Sequence, residues 1–339
     1  MAGEMQCTVL LILVLLNLTM AAKVSKNIGI NYGRLGDNLP APQKSVALIR
    51  SLGFQQVKIF DSDPTVLKAL SNTGLRVVMA ATNEELAALA ASPAAAATWV
   101  AEHVQPFLPS ARIRVITVGN ELLSHPEWRR SWPLLFPAMQ NLQTALETAN
   151  LHRQIKLSTC IAMDALNSSF PPSAGIFRPD IADTILRPIL NLISSTNSYL
   201  FINAYPYLAW SVNSAEIPLD YALLAADGAA ISDGPFRYSN LLDAQVDAFV
   251  AAMAALGFPD VKVAVGETGW PTAGGLGASV ENAAIYNGRL MSKLGTPRRA
   301  GVKMPIFIFA LFNEDQKPGA ETERNWGILY PNASLVYGL

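Results

Sequence analysis

The chain is poor in the side chains that build redox, metal and nucleophilic sites. Its 339 residues include two cysteines and three histidines. Cys7 lies in an apolar N-terminal stretch; without that stretch only Cys160 remains, in "IKLSTCIAM", and no intramolecular disulfide can form. Stability must then come from a large core, and Cys160 itself reads as a buried structural thiol rather than a nucleophile. His103, His125 and His152 lack metal-ligand spacing and read as surface residues, so no metal site is expected. There is no G-x-S-x-G elbow and no Walker loop, and "GGLG" at Gly274–Gly277 reads as a flexible loop.

Charge is also scarce, at 15% of residues, against 51% hydrophobic. Loss of residues 1–22 would remove one acid, Glu4, and no base, leaving 25 acidic and 25 basic residues. A neutral balance without like-charge blocks argues against nucleic acid or an anionic membrane as partner and suits a neutral polymer. Long apolar runs are absent too. The unbroken stretch Val9–Leu16 is too short to span a bilayer, so no membrane span is expected in the mature chain. "TVLLILVLLNLTMAA" instead reads as a secretory signal cleaved near Ala21 or Ala22, although its n-region carries Glu4 and no Lys or Arg. This predicts a signal peptide over 1–22, a single domain over 23–339, and a secreted, monomeric protein. The sequons at Asn167 and Asn332, both in loop-like sequence, permit glycosylation.

What is present is a regular alternation. Eight strand-like runs begin at Asn27, Gln56, Arg76, Ile113, Ile155, Tyr199, Val261 and Pro305. Most are continuously apolar, as strands buried on both faces are. Amphipathic or alanine-rich helical stretches separate them, several closing on glycine (Gly53, Gly74, Gly257, Gly295). Eight such units without a linker predict an α/β fold, a single (β/α)₈ TIM barrel. A doubly wound open sheet is the second choice, but "NYGRLGDNLP" lacks its phosphate-turn spacing.

Barrel active sites lie at the C-terminal strand ends. Those ends carry Tyr32, Asp61, Asn120–Glu121, "NAYPY" (Asn203–Tyr207), Glu267 and "FNED". Taken singly, either glutamate reads as structural or solvated. Two of them, each following a strand-like run on the same face, form the pair that glycoside hydrolysis requires: one carboxyl to protonate the leaving oxygen, one to attack or activate water. Aromatics gather at the same ends; Tyr32 and Tyr205 are expected to line the cleft, with Trp270 and Phe312 as further candidates for stacking on sugar rings.

In order and spacing, "IGINYGRLGDNLP", "VGNE", "NAYPY", "VGETGWP" and "FALFNEDQKPGAETERNWGILYP" resemble the plant β-1,3-glucanases of glycoside hydrolase family 17, from about Asn27 to Tyr330. The resemblance implies a retaining endo-hydrolase of β-1,3-glucan that needs no cofactor. It implies Glu121 as acid/base, Glu267 as nucleophile, and Asn120 as the amide that binds the sugar 2-hydroxyl. Asn203, Glu314, Lys317 and Glu323 would be supporting residues, with Lys317 expected to balance the charge of Glu267. Repulsion from an ionised Glu267 should raise the pKa of Glu121. A mixed-linkage β-1,3-1,4-glucanase or a glucan transglycosylase would share these motifs; a non-catalytic wall-glucan binder is the alternative class, and the presence of both Glu121 and Glu267 speaks against it. No polar spacer and apolar tail follow "YPNASLVYGL", so a lipid anchor is not expected.

Overall fold

The β-branched runs pair edge to edge because strands apolar on both sides must bury both. A computed structural model describes residues 24–226, 231–293 and 295–338; the expected signal segment 1–22 lies outside them. The barrel strands are β1 (Ile28–Tyr32), β2 (Gln56–Ile59), β3 (Arg76–Ala81), β4 (Arg112–Asn120), β5 (Lys156–Ala162), β6 (Tyr199–Asn203), β7 (Lys262–Thr268) and β8 (Ile306–Ile308). All neighbours are parallel and β1 pairs with β8, so the sheet closes and the open-sheet alternative is excluded. No helix among the described residues is long and apolar enough to cross a membrane.

Local chemistry sets where the crossover helices start. Pro42, Pro64 and Pro93 open helices at positions where a missing N–H costs nothing. Asp63, Ser92, Asn240 and Ser279 cap helices by accepting a backbone N–H. The alternation of strand side chains then sorts two cores. Outward residues such as Val57, Ile59, Val77 and Met79 pack beneath the helices, whereas Val78, Val115, Cys160, Phe201, Ala264 and Phe307 form a separate inner cluster. Gly29 belongs to the inner packing: a Cβ there would lie 2.5 Å from the Phe307 ring.

Strand eight is shorter than the apolar run Pro305–Phe312. Beyond Ile308 the chain still bonds to its barrel neighbours, Phe309 N–H donating to Thr268 of β7 and Leu311 N–H to Asn31 of β1, while Ala310 N–H donates to Trp326 outside the sheet. Two short ribbons, Leu166–Ser168 with Ile176–Phe177 and Ile231–Asp233 with Phe236–Tyr238, were not evident as strands. They are joined by Asp233, which accepts from Ser173 N–H and Oγ–H at 2.7 and 2.6 Å. Asn167 therefore sits in a ribbon rather than a loop, with its side chain exposed. Asn332 is exposed in a turn.

Phe307→Ala should cost about 3–5 kcal/mol by emptying the inner cluster. The denaturant midpoint of the variant, at unchanged m-value, is the measurement that checks this.

Candidate active site

The end of β4 is held in an unusual backbone path. Gly119 has φ +70° and Glu121 has φ +50°, a left-handed conformation uncommon for a residue with a side chain. Asn83 clamps this turn: its Oδ1 accepts from Asn120 N–H at 3.0 Å and its Nδ2 donates to the Asn120 carbonyl at 3.2 Å. A Cβ on residue 119 would stand 2.9 Å from Asn83 Oδ1, so glycine is required for this close approach as well as for its φ. Asn83 carried no signal in the sequence, since nothing local distinguishes it from a helix-start residue.

Glu267 comes from β7, opposite Asn203 of β6, just past a register shift. Its carboxylate is buried and takes two donors. Lys58 Nζ lies 2.9 Å from Oε1, and Tyr205 Oη donates to Oε2 at 2.9 Å. Asn203 reaches the other carboxyl, its Nδ2 donating to Glu121 Oε1 at 2.8 Å. The two glutamates thus belong to one polar cluster, tied through Asn203 at the end of β6 and Tyr205 just beyond it.

The electrostatics separate them. Burial, and then the charge of Glu267, push the Glu121 carboxyl up to about 7, against the opposing pull of Asn203 and Lys58. Burial together with both carboxylates pushes the Tyr205 hydroxyl well above its usual value, so it stays a donor. The buried cation beside Glu267 is Lys58, which corrects the expectation for Lys317. Lys317 instead lies 3.9 Å from Glu323 and 4.1 Å from the Phe309 ring centroid. Lys58 was legible in principle: it is the one charge inside "QVKIF", and alternation turns it away from Val57 and Ile59 into the barrel.

A cleft of about 1670 Å³ crosses the strand ends. It brings together Tyr32, Asn120, Glu121, Asn203, Tyr205, Glu267, Glu314, Lys317 and Glu323. Asn120 lines the cleft, and its Oδ1 is buried without a partner among the described residues. Glu314 is buried against Leu35 N–H, which donates at 2.7 Å. A Cβ on Gly33 would lie 2.3 Å from its Oε2. Burial raises the Glu314 carboxyl, with Lys317 and that N–H opposing.

Trp270 and Phe312 do not reach the cleft, which corrects their candidacy as stacking subsites. Trp270 is fully buried, donates from Nε1 to the Gly277 carbonyl at 2.8 Å, and packs on Tyr207, Trp210 and Tyr286. Phe312 is buried against the edge of Tyr32. Their places are taken by Phe309 and Trp326, which line the cleft beside Tyr205, the Trp326 ring centroid 5.1 Å from that of Tyr205.

A carboxyl that holds its proton more tightly when folded contributes stability fully below about pH 4.5, and that contribution is lost as pH rises through about 7. Glu121→Gln should therefore flatten the decline in melting temperature between pH 5 and 8. An unchanged decline in the variant would show that another group causes it.

The profile described as "Glycosyl hydrolases family 17" matches residues 28–339. "Glucan endo-1,3-beta-glucosidase 11" of Arabidopsis thaliana is 42% identical over 340 residues, covering 97% of this chain and 79% of the relative. "Glucan endo-1,3-beta-D-glucosidase" of Olea europaea is 38% identical, covering 99% and 75%. Among solved structures, CJP38, a β-1,3-glucanase and allergen of Cryptomeria japonica pollen, superposes with a TM-score of 0.88 at 39% identity, covering 91% of this chain and 97% of its own. With a profile match over nearly the whole described chain and relatives at this identity, the protein belongs to glycosyl hydrolase family 17.

Proposed function

We propose that this chain is a secreted endo-acting β-1,3-glucan hydrolase, working with retention on callose or fungal wall glucan. The observation that carries the reading is the pair Glu121 and Glu267 lining one cleft, with Glu121 pushed up to about 7 by burial and by the charge of Glu267. The relatives' names, glucan endo-1,3-β-glucosidase, supply the linkage. A cleft of about 1670 Å³ suits a polymer longer than one sugar unit. Extracellular destination rests on the apolar segment ending at Ala21–Ala22, with 23–339 as the mature domain, and on the exposed sequons Asn167 and Asn332.

In the proposed reaction, Glu121 gives its proton to the glycosidic oxygen while a Glu267 oxygen attacks the anomeric carbon, releasing the leaving chain and forming a glycosyl ester. Lys58 and Tyr205 orient that carboxylate and balance its charge. Ester formation removes the negative charge that had raised Glu121, so the same carboxylate becomes able to take a proton from water. That water attacks the anomeric carbon, and Glu267 leaves as carboxylate. Asn120, with its unpartnered Oδ1, takes the 2-hydroxyl, a contact that strengthens as positive charge develops on the ring.

A second reading is mixed-linkage β-1,3-1,4-glucan hydrolysis, because relatives of this fold differ in the β-glucan they cut. The chain superposes with a TM-score of 0.85 at 40% identity on a structure described with "two plant beta-glucan endohydrolases with distinct substrate specificities". Product profiling on linear β-1,3-glucan, mixed-linkage glucan and cellulose separates the two readings, and NMR of the first-formed anomer tests retention. The β-anomer is expected first; an α-anomer would contradict the covalent route.

Glu267→Gln should abolish reducing-end release from linear β-1,3-glucan. It also leaves Lys58 buried without its counter-charge, so the variant should melt lower while its far-UV circular dichroism is kept. Wild-type rates in that variant would sink the nucleophile assignment. For the wild-type enzyme, kcat/KM should fall as pH rises through about 7, where free Glu121 loses the proton it must donate.

A further inference from the structure

Because all eight strands run parallel, their N-terminal ends form the face opposite the cleft. A second concavity, of about 340 Å³, lies there between the starts of β2, β3 and β4. Arg50, Arg76 and Arg112 line it, and no carboxylate does. Arg76 and Arg112 are direct partners across β3 and β4, a like-charge pairing that ordinarily destabilises a sheet. Arg114 adds to the repulsion: burial first, then Arg112 and Arg114, hold the Arg76 guanidinium below its usual range.

Three arginines elsewhere in this near-neutral chain are paired with aspartates. Arg34 meets Asp61 and Asp63, Arg178 meets Asp164 and Asp180, and Arg187 meets Asp183. Among the described residues, none of Arg50, Arg76, Arg112 or Arg114 forms an ion pair. Arg76 donates to the Lys26 carbonyl and Arg112 to the Gly74 carbonyl at 3.0 Å. Those contacts orient two guanidinium groups without neutralising them, and Arg76 Nε remains buried with no partner. Several planar forks converging on one pocket match the geometry of an oxyanion.

We propose that this pocket binds a small oxyanion-bearing ligand, inorganic phosphate or the carboxylate of an acidic sugar, on the face opposite the glucan cleft. Bound anion would supply the missing counter-charge and relieve the repulsion between β3 and β4. A pocket of this size accommodates one sugar ring with its acidic group.

The test is thermal melting of the full chain in inorganic phosphate, glucuronic acid and glucose, each against sodium chloride at matched ionic strength. A saturable rise of roughly 2–4 °C is expected at an anion concentration near ten times Kd. A rise with phosphate alone identifies a free oxyanion; a larger rise with glucuronic acid identifies a carboxylated sugar. Arg112→Gln, at an exposed position, should abolish the rise. Without anion, that variant should melt no lower than wild type because a like charge has been removed. No rise beyond the chloride control would overturn the proposal. So would a rise that persists in both Arg112→Gln and Arg76→Gln.

Discussion

The site depends on one buried ion pair. Lys58, almost fully buried on β2, stands 2.9 Å from Glu267 on β7, and these strands lie on different sides of the barrel mouth. Neither charge would tolerate burial alone: removing one partner of such a pair costs about 3–5 kcal/mol. The pair therefore holds a carboxylate charged within a largely apolar mouth. That fixed charge is the second cause, after burial, that raises Glu121, while Lys58 itself pulls the other way.

Around this pair the polar groups are arranged with little redundancy. Tyr205 takes the second oxygen of Glu267, and Asn203 takes an oxygen of Glu121. Both come from the end of β6 and the residues after it, so one strand end sets the relation between the two carboxyls. Asn83 does the equivalent for the turn that presents Glu121. The inner cluster of Phe201, Phe307 and smaller residues fills the barrel below and leaves the polar groups only the upper layer.

Much of this architecture was legible before any coordinates. Eight strand-like runs, most of them continuously apolar and separated by helices, admit few arrangements, and each of the eight became a barrel strand. Glu121 and Glu267 were legible because each interrupts an apolar strand ending at the same face. Trp270 and Phe312 were misplaced for a definite reason. Composition brings aromatics to the strand ends, but whether a ring faces the cleft or the interior depends on packing, as of Tyr207, Trp210 and Tyr286 around Trp270 and of Tyr32 on Phe312. Lys58 and Asn83 were passed over because their partners lie 209 and 37 residues away.

The amino-acid order alone made legible the eight barrel strands, their parallel α/β class, and the two carboxylates at strand ends. Periodicity and local backbone preference act over a few residues and are written in the chain. Tertiary structure alone decided which cation neutralises Glu267, which aromatics face the cleft, and which arginines converge without acids. Those outcomes depend on distances between segments remote in sequence, and only closure of the barrel sets such distances.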